Sequence, residues 1–198
     1  MPYITADIAI SADGFATGVN QRLERPFGDG PVDELHRWMF ETPDENAAEL
    51  AAITAADAFI MGRNMFSPGR GVWDLEWRGW WGEDPPYHKP VFVLTHHDRE
   101  DLPLQGGTTF HFVTGGVEAA LKRAVEASDD GTVAIAGGAT TMNQFLAAGL
   151  IDELRLHIAP VVVGAGERLF DGVSPRKLRQ VSSRSASLVT HITYRIER

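Results

Sequence analysis

Apolar and polar residues alternate at the start of the chain, and strand-like runs return at intervals to its end. Ile4, Ile8 and Ile10 share one side of residues 3–10, which predicts a core strand that runs into the turn Ser11-Ala12-Asp13-Gly14. Apolar runs bounded by turn residues predict further strands over residues 58–61, 91–95, 109–113, 132–136, 154–163, 178–185 and 188–197.

A longer period marks the helices between these strands. Val117, Ala120, Leu121, Ala124 and Val125 recur at helical spacing and predict one amphipathic helix. Further helices are predicted over residues 31–40, 42–56 and 140–148. For the second of these, Thr42-Pro43-Asp44-Glu45 reads as a capping box with proline at the first helical position.

Residues 67–89 carry no periodic element. They hold four of the five tryptophans, Trp73, Trp77, Trp80 and Trp81. Long loops in compact domains are usually functional or mobile, and tryptophan is favoured both over pockets and at subunit contacts. We therefore expect this loop to cap a pocket or to form a dimer contact, and its composition does not choose between them.

Strands and helices alternate through most of the chain, and the last strands follow one another without helices. This order predicts a single α/β domain, residues 1–198, with a mainly parallel central sheet, helices on both faces and an antiparallel C-terminal edge. Ligands of such sheets bind beyond the carboxyl ends of the strands. Candidate site residues are therefore those that follow each strand.

Composition narrows the choice of partners. The formal charge of −9 repels phosphate backbones and anionic lipid, so we expect neither nucleic acid nor membrane as a partner. The chain has no cysteine, which excludes disulfides, thiolate metal sites and a cysteine nucleophile. No apolar run is long enough to cross a bilayer and no signal-peptide pattern opens the chain, so a cytoplasmic location is expected.

Three of the turns that follow strands carry residues suited to an anionic ligand. Gly62 and Arg63 combine close backbone approach with a guanidinium, although Arg63 could equally lie over a helix end. The turn 137–141 joins two glycines to a helix start, which suits a pyrophosphate and is explained as well by packing. Thr95 and His96 follow a third strand. Because the adjacent side chains of His96 and His97 point to opposite faces, we expect no metal site there.

Five segments, in this order, resemble the dihydrofolate-reductase-like family and, within it, the RibD C-terminal-domain branch. They are "ISADGF" from Ile10, "FIMGRNMF" from Phe59, "PVFVLT" from Pro90, "IAGGATTMNQFLAAGLIDEL" from Ile135 and "LRLHIAPVVVGAGERLF" from Leu154. The resemblance implies a three-layer dihydrofolate-reductase-like fold and NADPH as cofactor.

The resemblance also implies where the cofactor would lie. Backbone at Ala9 and Ile10 would meet the nicotinamide, the loop 16–20 with Gly18 would cover it, and Thr95, His96 and Thr114 would flank the adenosine. The remaining positions implied to hold the phosphates are Gly62, Arg63, Asn64, Met65, Gly137, Gly138, Ala139, Thr140 and Thr141.

The implied activity is hydride transfer to a small heterocycle, of the 5-amino-6-(5-phosphoribosylamino)uracil type or the pterin type. Dihydrofolate reductase carries a buried acid on the helix after the first loop; here that helix offers Asp33 and Glu34, which join Asp13 as candidates for proton relay. The branch also implies a homodimer. A non-catalytic protein that binds NADP(H) or another ligand and retains the reductase fold is the alternative.

Overall fold

The computed structural model describes residues 2–67 and 69–197. Its strands, in one sheet, are β1 (Tyr3–Ser11), β2 (Ala58–Gly62), β3 (Pro90–Leu94), β4 (Leu102–Pro103), β5 (Thr109–Val113), β6 (Thr132–Gly137), β7 (Glu153–Ala159), β8 (Leu178–Ser185) and β9 (Thr190–Ile196). Its α-helices are α1 (Arg37–Phe40), α2 (Ala47–Ile53), α3 (Arg63–Phe66), α4 (Gly116–Ala127) and α5 (Ala139–Ala147). Short 3₁₀ helices cover Val32–Leu35 and Gln105–Gly107.

The sheet has the spatial order β4-β5-β3-β2-β6-β1-β7-β9-β8. Its centre, from β5 to β7, is parallel, whereas β9 and β8 add an antiparallel edge. This confirms the predicted mainly parallel α/β sheet with an antiparallel C-terminal edge. The short β4 makes the opposite edge antiparallel as well, and its two residues are too few to give a periodic signal.

Helices α4 and α5 cover one face of the sheet. Because strand side chains alternate, the even-numbered residues of β1, such as Ile4 and Ile8, point to this face, where they join Met142 and Phe145 of α5 in one buried cluster. The opposite face carries Thr5, Asp7 and Ala9 of the same strand.

The tryptophan-bearing loop forms most of the layer over the opposite face at β2, β3 and β5. Trp73 packs with Phe66, Phe110 and Phe112 in a second buried cluster. The indole of Trp77 donates to the Phe66 carbonyl at 2.6 Å. Residues 69–89 contain no helix or strand, as predicted, yet most of these tryptophans serve the core; Trp81 alone of the four is largely exposed, at 53%.

The two helices predicted before β2 are shorter than expected. The segment 31–40 is broken at His36 into the 3₁₀ turn and α1. The predicted capping box at Thr42 is wrong, because the Thr42 hydroxyl donates to the Trp38 carbonyl and α2 begins only after Asn46. No helix within residues 2–67 or 69–197 is long and apolar enough to span a membrane.

Strand β7 ends at Ala159 rather than at the predicted residue 163. Pro160 follows and cannot donate to the ladder. The chain then turns toward the first loop, where the Ala12 amide donates to the Val161 carbonyl at 2.8 Å. This turn joins the two segments at the carboxyl edge of the sheet.

Candidate active site

The carboxyl ends of β5, β3, β2, β6 and β1 meet at one edge of the sheet, since these strands are parallel neighbours. The residues that the sequence singled out after each strand therefore lie along one edge in that order. From the β5 side they are Thr114; Thr95 and His96; Gly62, Arg63, Asn64 and Met65; Gly137, Gly138, Ala139, Thr140 and Thr141; and Ile10 with Ala9.

The turns after β2 and β6 pack against each other. A Cβ added to Gly62 would overlap the Thr141 hydroxyl, so only glycine fits without movement. Gly137 has φ +112° and lies beside Met65. Helix α5 starts at Ala139 with no side-chain cap, so its first amides are free to bind an anion.

Arg63 is bound to the tryptophan-bearing loop. Its Nη1 donates to the Gly71 carbonyl at 2.5 Å, and its guanidinium carbon lies 3.8 Å from the Trp73 ring centroid. Desolvation by burial lowers the pKa of Arg63, and its buried Nε has no partner among the described residues. The free Nε–H leaves Arg63 able to donate a hydrogen bond to a further acceptor group. Asn64 beside it is exposed and its carbonyl accepts from the Trp80 indole.

Thr95 shapes the turn after β3. Its buried hydroxyl donates to the His97 carbonyl and accepts from the His97 amide, both at 3.1 Å. Its own amide donates to the Val113 carbonyl, which ties the ends of β3 and β5 together. His96 and Thr114 are exposed on the rim of these two turns.

The loop 16–20 is fixed by close backbone contacts. A Cβ on Gly18 would overlap the Asp29 carbonyl oxygen, and one on Gly166 would overlap that of Thr17. The Gly18 amide donates to the Phe27 carbonyl at 2.8 Å, and the Ala16 amide donates to the Glu167 carbonyl at 2.9 Å. The loop therefore has a defined position above the end of β1.

Asp13 anchors the first loop to the segment after β7. Its carboxylate accepts from the Ser11 hydroxyl at 2.6 Å and from the amides of Val163 and Gly164 at 3.0 and 2.8 Å. These hydrogen bonds, the one from Ser11 above all, lower the pKa of Asp13 to about 2. An acid held ionised in this way is poorly suited to donate a proton near neutral pH.

The two acids predicted on the following helix point elsewhere. Asp33 is exposed, and Glu34 accepts from Arg37 at 2.8 Å in a surface ion pair. Neither lines the cavity described next.

A cavity of about 310 Å³ lies between α2 and the sheet at β1, β7, β9 and β8, on the face away from α4 and α5. This volume falls at the lower end of the range for small-molecule sites. The lining residues are Asp7, Ala48, Glu49, Ala52, Arg155, His157, Ser182, Arg184, His191, Ile192 and Thr193.

A buried hydrogen-bonded network forms one side of this cavity. His157 Nδ1 lies 2.8 Å from His191 Nδ1, and His191 Nε2 lies 2.8 Å from Asn46 Oδ1. Trp38 packs against both imidazoles, with ring centroids 4.9 and 5.0 Å away. Desolvation by burial, followed by the charge of His157, lowers the pKa of His191 to about 4, so His191 is neutral at pH 7.

This cavity was not predicted from the sequence. Its residues come from β1, α2 and the last three strands, far apart in the chain. The available signal was the polar alternation of Arg155 and His157 in β7 and of His191 and Thr193 in β9, on strands whose other side is apolar. Within residues 2–67 and 69–197 no three histidine or acidic side chains are grouped so as to hold a metal ion.

The sheet, its covering helices and the glycine-rich edge define an α/β protein of the dihydrofolate-reductase-like type. The chain belongs to the RibD C-terminal domain family, whose model matches residues 2–192.

Relatives agree with this assignment. The chain is 28% identical to the uncharacterized protein YyaP of Bacillus subtilis strain 168, over 96% of this chain and 93% of that protein. A protein from Shewanella sp. PV-4 named for riboflavin biosynthesis has a similar structure, with TM-score 0.67, 24% identity and 99% coverage of both chains.

A second solved structure, a diaminohydroxyphosphoribosylaminopyrimidine deaminase/5-amino-6-(5-phosphoribosylamino)uracil reductase from Thermotoga maritima, matches with TM-score 0.61 and 14% identity. This match covers 99% of the present chain and 57% of the Thermotoga chain. At these identities the structural matches establish the shared fold.

Proposed function

We propose that this protein is an NADPH-dependent reductase that transfers hydride to a small heterocyclic substrate held in the 310 Å³ cavity. One observation carries the proposal: the cavity adjoins the strand position expected to meet the nicotinamide. His157, which lines the cavity, is the register partner of Ala9, and Asp7 lies two residues before Ala9 on the same face of β1.

The residues at the carboxyl edge suit a dinucleotide phosphate. The uncapped amides that begin α5 would hold the pyrophosphate, and the Arg63 guanidinium, with its unpartnered Nε, would hold the 2′-phosphate. Exposed His96 and Thr114 lie on the rim where the adenosine would extend. When bound, NADPH supplies hydride from C4 of its nicotinamide.

The protein's own contribution is orientation and exclusion of water. Trp38 is fully buried and packs against His157 and His191 at the wall of the cavity, and the loop 16–20 is held in place by its backbone hydrogen bonds to Phe27 and Glu167. A dry, shaped site strengthens polar contacts to a bound substrate. With Asp13, Asp33 and Glu34 outside the cavity, the acid that lines it beside Ala9 is Asp7.

The alternative, a non-catalytic protein that binds NADP(H), is favoured by one observation. None of the three acids expected to relay a proton lines the cavity. Buried Asp7 and His157 favour the enzyme, because polar side chains at the bottom of a cavity are typical of sites that orient a substrate.

The two functions are separated by measuring binding and turnover together. NADPH binding is followed by energy transfer from the loop tryptophans to the dihydronicotinamide. Turnover is followed as loss of dihydronicotinamide absorbance across a panel of aminopyrimidines, aminouracils and pterins. Consumption of NADPH with a reduced heterocycle as product supports the reductase. Binding without turnover across the panel supports the alternative, and absence of NADPH binding contradicts both.

A further inference from the structure

The first loop, residues 12–20, is joined by hydrogen bonds to the post-β7 segment, residues 160–170. Apart from one isolated bridge, neither of them belongs to a helix or to the sheet. The Leu169 amide donates to the Gly14 carbonyl at 2.9 Å, and the two backbones touch where Gly166 meets the loop. The two segments therefore hold each other in position where the sheet does not.

Asp13 makes more of these contacts than any backbone pair alone. Its carboxylate accepts from the Ser11 hydroxyl and from the amides of Val163 and Gly164. Its carbonyl accepts from Arg168 Nε at 3.2 Å. Three donors on one carboxylate favour its ionised form, in agreement with its pKa of about 2. The side chain of Asp13 thus joins the end of β1 and the first loop to the post-β7 segment.

Asn143 joins the other end of the post-β7 segment to helix α5. Its Nδ2 donates to the Arg168 carbonyl at 2.9 Å, and its Oδ1 accepts from the Phe170 amide at 2.7 Å. The side chain is buried, so both halves of its amide are committed to this one segment. Asn143 lies about one turn after Ala139, the first residue of α5. The first loop is therefore linked, through the post-β7 segment, to the start of α5.

The two ends of this linkage correspond to the two ends of the proposed cofactor site. The proposed function places the pyrophosphate on the first amides of α5 and the nicotinamide beside Ala9, with the loop 16–20 over it. Hydride transfer needs reacting atoms about 3–3.5 Å apart, and a displacement of about 1 Å is costly. The distance between the loop and α5 therefore matters for the reaction, and hydrogen bonds outside the sheet set it.

We propose that Asp13 is a positioning residue for the nicotinamide half of NADPH. By holding the post-β7 segment, which Asn143 fixes to α5, the Asp13 carboxylate sets the loop 16–20 at the distance from α5 that the cofactor spans. The proposal rests on the reductase function for the place of the cofactor, and it gives Asp13 neither a contact with the cofactor nor a proton to transfer. Loss of the carboxylate should then weaken binding of the nicotinamide and spare the rest of the dinucleotide.

The test compares NADPH with 2′-phospho-ADP-ribose, which is the same dinucleotide phosphate without the nicotinamide. In Asp13→Asn an NH₂ group faces at least one of the three donors that the carboxylate accepts from, so at least one hydrogen bond is lost. By titration calorimetry we expect the dissociation constant of NADPH to rise about tenfold and that of 2′-phospho-ADP-ribose to stay within about twofold. An equal rise for both ligands, as a general loss of structure would give, overturns the proposal, and so does no rise for either.

Two further variants locate the effect. Asp44→Asn removes the same charge from an exposed position outside these segments and should leave both affinities unchanged. Asn143→Leu releases the other end of the post-β7 segment and should also weaken NADPH selectively. Because Asp13 and Asn143 act through one segment, the loss in the double variant should be smaller than the sum of the two free-energy changes. Additive losses, or a selective loss in Asp44→Asn, contradict the assignment; if Asn143→Leu does not fold, Asp13→Asn decides alone.

Amide hydrogen exchange of the protein without ligand tests the linkage independently of the cofactor. The Val163 and Gly164 amides should be protected in the wild type, and at least one of them should exchange about tenfold faster in Asp13→Asn. The Met142 amide, which donates to the Gly138 carbonyl inside α5, should keep its protection and so show that the variant is folded. Fast exchange of both Val163 and Gly164 in the wild type refutes the linkage.

The ligand titrations also separate this proposal from the reductase function. A wild-type protein that binds neither NADPH nor 2′-phospho-ADP-ribose refutes the reductase function. A wild-type protein that binds both, with no selective loss of NADPH in Asp13→Asn, refutes the positioning role of Asp13 alone.

Discussion

Replacing Arg63 with alanine separates a cofactor contact from a structural one. In the structure Arg63 donates to the Gly71 carbonyl and stacks on Trp73, while its Nε has no partner. If the guanidinium also holds the 2′-phosphate, Arg63→Ala removes a charge-assisted hydrogen bond of about 1.5–3 kcal/mol. Because each 1.4 kcal/mol is about tenfold, NADPH binding should weaken about 10- to 100-fold, with NADH affinity nearly unchanged.

The structural contacts of Arg63 make a separate contribution to the free energy of unfolding. The stacking on Trp73 contributes about 0.5–1 kcal/mol and the neutral acceptor bond about 1 kcal/mol, so Arg63→Ala should also lower unfolding free energy by about 1–2 kcal/mol. This loss affects the apo protein and does not distinguish the two cofactors.

Arg99 provides the matched control. Its guanidinium lies 5.6 Å from the Trp73 centroid and donates to carbonyls of the same loop, including that of Trp77 at 2.9 Å. Arg99→Ala should reduce stability and weaken NADPH and NADH binding by the same factor. Dissociation constants of both cofactors are measured for the three proteins at low and high salt, and the NADPH preference of the wild type should shrink with salt. Equal losses for NADPH and NADH in Arg63→Ala would refute a phosphate role for Arg63.

Three further predictions follow from other parts of the chain. Burial lowers the pKa of His36 from its ordinary value of 6.5 to about 4, so between these two pH values the unfolded chain binds a proton at His36 that the native state does not bind. The free energy of unfolding should therefore fall by on the order of 3 kcal/mol as pH falls through this window. In urea unfolding, His36→Phe should show a weaker dependence of stability on pH. Glu167 Oε2 lies 3.6 Å from the Cβ position of Gly138, at the start of α5, so Glu167→Gln should tighten NADPH binding several-fold in the same titration; weaker binding would contradict a pyrophosphate there. The chain should form a homodimer, and light scattering that gives the mass of a single chain at micromolar concentration would refute this.

Periodicity and turn chemistry predicted most of the sheet. Strands β1, β5 and β8 were located from alternation or turn boundaries, and the carboxyl-edge turns followed from their parallel order. Local sequence patterns gave wrong predictions where tertiary contacts determine the hydrogen bonding of a residue. Thr42 has the sequence of a helix cap, but its hydroxyl bonds Trp38 instead.

The cavity was not predictable from local pattern. Asp7 and Arg155 are 148 positions apart, and the register that joins β1 to β7 is set by packing over the whole sheet. The tryptophans were likewise expected over a pocket or at a dimer contact, whereas Trp73 completes the buried layer over β3 and β5. A sequence gives the residue types at such places, and only the fold brings them together.

A crystal structure of the protein with NADPH and an aminopyrimidine tests the central claim most directly. We expect the pyrophosphate on the first amides of α5, the nicotinamide beside Ala9, and the heterocycle in the cavity lined by Asp7 and His157. NADPH bound away from the carboxyl edge, or a heterocycle outside the cavity and out of reach of the nicotinamide C4, would contradict it.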